Sequence, residues 1–337
     1  MIIIVDGYNK TIAKKDNQIV IKEGKQVIKT ILVSKIEQIV IMGKGQITFD
    51  AMSILTQEKI ECIAIDWRGN LTYCITPFIN SKRVELKRQQ YQTLKNTKSG
   101  IISKEIIKTK IKNQQATLGS LYKSHKNITK LKTQQNKINK ILKKIDNIPN
   151  KPIDEIRNQI LGIEGQASIE YWKGIKEIVP PEFNFKNRTK RPAKDPVNAL
   201  LNYSYAILQS QILKSINIIG LDPYLGFIHV ERNNRASLSF DLIEEFRQQI
   251  VDKTVIKLIN TKQIQIQDFQ EDFEDGKIDI PEDIRHTLTK NIMKKLNKKI
   301  QYNKTTMTYL KIIELQTNKI AKFIKQDQEY TGFYLRW

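Results

Sequence analysis

Arg68-Gly69-Asn70-Leu71-Thr72-Tyr73-Cys74-Ile75-Thr76-Pro77 marks the place where this chain changes its period. Upstream, apolar residues come in short β-type runs: Gln18 to Lys22, Val27 to Val33, Ile36 to Met42, Gln46 to Phe49, Ile60 to Ile65 and Leu71 to Ile75. Turn chemistry at Asp6-Gly7, Gly43-Lys44-Gly45 and Arg68-Gly69-Asn70 separates them, with one helix expected from Asp50 to Lys59. Downstream of Pro77 the spacing is helical almost to the C-terminus. The pattern predicts an α+β protein, with a small N-terminal β-rich domain over 1–77 and a larger all-α domain over 78–337.

Within the helical part, Phe78 to about Ile148 reads as long basic helices, and Pro149 and Pro152 stop and restart the chain. Ile153 to Val179 is the next helix. Asp195-Pro196 has the form of an N-cap followed by proline at the first helical position, and Gly220 closes that helix. Leu221 to Arg235 reads as a loop, Asp241 to Asn260 as one helix, and Pro281 to Lys325 as two more.

The 337 residues suit two domains, and 40% hydrophobic with 27% charged residues excludes wholesale disorder. The net charge of +22 calls for a polyanionic partner. It is concentrated: residues 78–151 hold 19 basic and 3 acidic side chains. A membrane surface is the rival partner, but no apolar run reaches the roughly 18 residues of a membrane span, and Met1 to Val5 meets Asp6 too soon for a signal peptide. A soluble, cytoplasmic protein is therefore expected. Cys62 and Cys74 have no metal-site or disulfide spacing and read as small core residues.

Two features carry candidate chemistry. Glu164 lies on the apolar stripe made by Ile153, Ile156, Ile160, Ala167 and Tyr171, where a carboxylate needs a cation or several donors; at the stripe's edge it could equally reach water or a lysine. His229 follows Gly226-Phe227-Ile228 and precedes a helix whose first turn carries Asp241 and Glu244 on one face. First-turn acids also serve the helix dipole, and each residue alone has a structural explanation. Together, Glu164, His229 and Asp241 or Glu244 offer carboxylate oxygens and one imidazole nitrogen, a set that suits Mn²⁺ or Mg²⁺. Such an ion polarises a phosphodiester and helps deprotonate an attacking hydroxyl. His125 stands among lysines, and His286 has no acid cluster evident around it. No phosphate-binding glycine loop or serine or cysteine nucleophile motif is present.

Lys82, Arg83, Lys87, Arg88, Lys104, Lys108, Lys110 and Lys112 form a candidate phosphate track, and the run Lys186 to Arg191, with Arg188 and Arg191, forms a second basic cluster near the candidate ion.

Three ordered blocks then resemble the CRISPR-associated adaptation integrase, the first-numbered Cas protein family: Arg191 to Tyr205, Gly220 to His229 and Ser237 to Arg247. Shorter echoes are Ile36 to Gly43, Lys110 to Gln114, Glu164-Gly165 with Tyr171-Trp172, and Tyr330 to Arg336. The resemblance implies a β-rich dimerisation domain and a helical catalytic, DNA-binding domain with one divalent-metal site. It places the family's metal glutamate on Glu164, its histidine on His229 and its third acid on Glu244, with Asp241 in support. Arg191-Pro192-Ala193 departs from the second proline that many members carry. The implied reaction serves antiviral defence: the 3′-hydroxyl of a short captured DNA duplex attacks a phosphodiester at the end of a CRISPR repeat, beside the leader. The implied assembly is a homodimer working in a heterohexamer with the small second-numbered Cas protein. A non-catalytic nucleic-acid scaffold and a stand-alone metal nuclease are the competing readings, and only a joined DNA product separates them from an integrase.

Overall fold

The computed structural model describes residues 1–66, 71–75, 84–189, 193–231, 233, 235–269, 271–272, 277–278, 280–326 and 328–335. The N-terminal part runs β1 (Ile2–Val5), β2 (Lys10–Lys15), β3 (Gln18–Glu23), β4 (Gln26–Leu32), β5 (Gln38–Ile41), β6 (Gly45–Ile47), α1 (Phe49–Gln57), β7 (Glu61–Ile65) and β8 (Leu71–Ile75). These strands make two four-stranded sheets, ordered β1-β5-β7-β8 and β4-β3-β2-β6. In the first, β1, β5 and β7 are parallel and β8 is an antiparallel edge. The strand reading did not include β1 or β2, whose runs of four and six residues flank the Asp6-Gly7 turn.

Strand β7 is buried at every residue, the pattern of a strand covered on both faces. One face, with Cys62, packs with Ile3, Ile19, Ile39 and Leu55 in the N-terminal core. The other, with Ile63 and Ile65, joins Val40 and Met42 to the large core of the helical part. The expected domain boundary at Pro77 lies outside the described residues. Cys74 corrects an expectation: it sits exposed on the edge strand β8, while Cys62 is in the core.

The helical part begins with α2 (Val84–Leu94), α3 (Thr97–Ser124), α4 (Thr129–Ile145) and α5 (Ile153–Lys176). Next comes α6 (Pro196–Ile219), buried along most of its length. Asp195 caps it by accepting from the Asn198 amide at 2.9 Å, and Gly220 ends it at φ +85°, a conformation L side chains rarely adopt. The single helix expected over 241–260 is instead broken. α7 (Ser237–Ile243) gives way to a turn at Glu244 to Phe246, then a π-helix (Gln248–Asp252) and α8 (Lys253–Asn260). Beyond the short pair β9 (Glu271–Asp272) and β10 (Lys277–Ile278) come α9 (Glu282–Leu296), the antiparallel hairpin β11 (Lys299–Tyr302) and β12 (Thr305–Thr308), and α10 (Tyr309–Gln326). The two helices expected over Pro281 to Lys325 are α9 and α10, and the hairpin joins them. Among the described residues no helix is long and apolar enough to cross a membrane.

Candidate active site

The loop before α7 is held from two sides. Asp241, wholly buried on α7, accepts on Oδ2 from the amides of Phe227 at 2.5 Å and Ile228 at 3.0 Å. Its Oδ1 accepts from the His229 amide at 3.0 Å and faces His229 Nδ1 at 2.7 Å. From α5, Arg157 donates to the carbonyls of Phe227 at 3.4 Å and Ile228 at 3.2 Å. Gly226 makes this closeness feasible, since a Cβ there would come within 2.7 Å of the Ser237 Cβ. A carboxylate against Nδ1 assigns the proton to that nitrogen, so Nε2 carries the lone pair.

The two glutamates meet at one cation. Glu164 comes from α5 and Glu244 from the turn after α7, and Lys110 reaches between them from α3. Lys110 Nζ donates to Glu164 Oε1 at 2.5 Å and lies 2.7 Å from Glu244 Oε2. That second contact is an ion pair whose angle falls short of a hydrogen bond, so Oε2 has a close cation but no directed donor. On its other oxygen Glu244 accepts from Arg247 Nη1 at 2.6 Å. Ser168 donates to Glu164 at 2.7 Å and accepts from Gln114 at 3.1 Å. Burial alone would raise the Glu244 carboxyl, but the Arg247 guanidinium and then the Lys110 ammonium hold it down at about 2. Glu164 is likewise lowered against its burial, mainly by Lys110, while Glu244 pushes it the other way.

Behind Glu244 the polar contacts continue inward. The Arg247 guanidinium stacks 4.1 Å from the centre of the Tyr205 ring. Tyr205 and Tyr171 each donate to Asp252, at 2.5 and 2.7 Å. The Arg188 guanidinium lies 5.3 Å from the centre of the same Tyr205 ring and donates to Asn198 at 2.8 Å and Asn202 at 2.5 Å on α6. Asp252 belongs to the π-helix, whose altered turn sets the register between Glu244 and Asp252; such bulges recur at functional sites.

The structure thus brings Glu164 and Glu244 onto one point and couples His229 to Asp241. Asp241 spends its oxygens on the loop and the imidazole, which makes it a positioning residue. Lys110, read from sequence as part of a phosphate track, is buried in the site. Its neighbours also have internal duties: Lys104 donates to Ile148 and Asn150, and Lys108 donates to Asp146 at 2.6 Å. Lys112 is half-buried, with Nζ 5.8 Å from the Tyr334 ring centre. Arg83 and Arg191 lie outside the described residues. His286 lines a cleft of about 730 Å³ with Asp6, Glu282 and Asp283, and among the described residues these do not converge as a metal-holding cluster. Sequence reasoning did not pick out Arg247, Ser168, Gln114, Tyr205 and Asp252, all polar groups on faces that otherwise read as apolar.

Among the described residues, no three His, Cys, Asp or Glu side chains stand close enough together to hold a metal ion. The cation shared by Glu164 and Glu244 is the Lys110 ammonium. The donor chemistry nevertheless fits a hard divalent ion: two carboxylates focused on one point, and an imidazole whose other nitrogen a carboxylate orients.

A profile of the family described as CRISPR associated protein Cas1 matches residues 3–299. The chain belongs to the Cas1 family. It is 39% identical to CRISPR-associated protein Cas1 3 of Methanobrevibacter ruminantium over the whole of both chains. It is 32% identical to CRISPR-associated endonuclease Cas1 1 of Archaeoglobus fulgidus, again over the whole of both. A solved structure described as a casposase bound to integration product superimposes with a TM-score of 0.85 at 24% identity, covering 98% of this chain and 92% of that one. The β-rich N-terminal part followed by helices is thus the Cas1 fold, and Glu164, His229 and Glu244 lie in the part of the chain that the profile matches.

Proposed function

We propose that this Cas1 protein is a metal-dependent DNA endonuclease and integrase of CRISPR adaptation, which inserts short captured duplexes into a repeat by 3′-hydroxyl attack on a phosphodiester. The observation that carries this reading is the convergence of Glu164 and Glu244 on one cation position, with the His229 imidazole oriented separately by Asp241. Glu164, Glu244 and His229 through Nε2 would hold Mg²⁺ or Mn²⁺. When bound, the ion would polarise the phosphodiester and stabilise charge that develops in the transition state.

The chain's own residues do the rest. Arg247 and Ser168 fix the carboxylates before any substrate arrives, so their geometry costs little to assemble at the moment of reaction. Asp241 keeps the histidine in one tautomer. Transesterification conserves the phosphodiester, which agrees with a sequence lacking a nucleotide-binding loop. The assembly we propose is the one the family resemblance implies: a homodimer acting with the small second-numbered Cas protein on DNA in the cytoplasm. Nicking of branched DNA by the wild-type protein should need Mn²⁺ or Mg²⁺ and disappear in EDTA and in Glu244→Gln. Equal nicking by Glu244→Gln would remove that residue from the reaction.

A further inference from the structure

Lys110 does not occupy a surface position turned inward by accident. On α3 it continues the buried series Ser103, Ile106, Ile107, Gln114 and Thr117, spaced three and four apart, so its backbone register commits the side chain to the interior. A lysine in such a register carries a heavy desolvation cost unless anions meet it. Here two do, at 2.5 and 2.7 Å, and the ammonium and each carboxylate favour one another's charge. Without the ammonium, Glu164 and Glu244 would face each other as like charges in a largely buried space.

A divalent ion that takes an oxygen from each carboxylate at about 2.1 Å needs the volume where Lys110 Nζ now stands. Two cations cannot share it, because a single and a double charge a few ångströms apart repel strongly where water is scarce. Resting on the metal-dependent reading above, we propose that Lys110 is a tethered internal counter-ion: it fills the cation position of the metal-free protein and must be displaced before a divalent ion binds. It thereby sets the metal affinity of the site and keeps the metal-free carboxylates from repelling. Lys110 is therefore a competitor of the metal. A lysine that merely braced the ligands would strengthen metal binding.

Titration of the full-length protein with MnCl₂ by calorimetry tests this on wild type, Lys110→Met and Lys110→Arg. If the lysine-filled state makes up about nine-tenths of the metal-free protein, removing the competitor tightens Mn²⁺ binding about tenfold. Mn²⁺ should then raise the Tm of Lys110→Met more than that of wild type, and Lys110→Arg should bind no tighter than wild type. Unchanged or weaker Mn²⁺ binding by Lys110→Met, with wild type binding normally, overturns the proposal and leaves the metal reading intact. Failure of both proteins to bind Mn²⁺ brings down the metal reading and the proposal with it. Should Lys110→Met not fold, reductive methylation of wild type followed by mass spectrometry decides the matter. Methylation at Lys110 should rise several-fold on adding Mg²⁺; labelling that Mg²⁺ does not change would overturn the proposal.

Discussion

Asp241 grips His229 twice, once through the backbone amide at 3.0 Å and once through the ring Nδ1 at 2.7 Å, so a single carboxylate fixes both where the histidine sits and which nitrogen it offers. The same carboxylate ties down the amides of Phe227 and Ile228. Asp241→Asn therefore turns an acceptor into a partial donor against four donors. We expect a loss of roughly 10- to 100-fold in metal affinity or strand transfer, the usual scale for such orienting partners. Stability should also fall by about 1–3 kcal/mol as buried amides lose an acceptor. Urea denaturation alongside the assay separates the two effects, and a variant as active and as stable as wild type would show that the clamp is dispensable.

Tyr205 joins the site to the interior. Its hydroxyl holds Asp252 and its ring lies under Arg247, the cation that fixes Glu244. Tyr205→Phe removes only the hydroxyl and should cost about 1–3 kcal/mol, because one Asp252 oxygen loses its donor in a buried setting. Tyr205→Leu also removes the ring face and should cost more, by roughly 0.5–2 kcal/mol. Equal midpoints for the two variants in urea would show that the Arg247 stacking contributes nothing.

Glu245 gives the protein a pH dependence of defined sign. Burial pushes its carboxyl up to about 7, against the hydrogen bonds donated by Tyr330 and the Phe333 amide. The folded protein thus keeps a proton on Glu245 between its unfolded value near 4.5 and about 7 that the unfolded chain has released. Stability from this group is fully present below the lower value and is lost as pH rises through the upper one, by an amount on the order of 3 kcal/mol. The segment it holds, Tyr330 to Phe333, should loosen first. Tm measured from pH 5 to 8 is expected to fall in wild type, with a shallower slope in Glu245→Gln; parallel slopes would assign the effect to other groups.

The parts of the fold legible in the sequence are those with local chemistry of their own. α6 was bounded correctly because Asp195, Pro196 and Gly220 each satisfy a distinct need of a helix end. The stripe through Ile160 and Tyr171 located Glu164 on α5. The break after α7 was not legible, since Leu242, Phe246 and Ile250 keep a helical period across it. The contacts that accompany the break are tertiary: Glu244 faces Lys110, while Asp252 meets two tyrosines. The β11–β12 hairpin escaped notice because its strands are four residues each and lie between helices. Asn303 and Lys304, at φ 49° and 64°, form its turn. Charge along the chain puts Lys110 on a basic track, whereas its spacing from Ser103, Ile107 and Gln114 marks it as inward-facing.

The proposed reaction joins DNA at a site that uses His229. A supercoiled plasmid bearing a CRISPR repeat, a short duplex with free 3′-hydroxyls and the protein with its small Cas partner would be incubated with Mn²⁺ or with EDTA. A covalent plasmid-to-duplex product is expected that requires Mn²⁺ and is lost in His229→Ala while the variant's Tm stays near that of wild type. Binding of both DNAs with no joined product under any divalent ion, or joining by His229→Ala at the wild-type level, would contradict it.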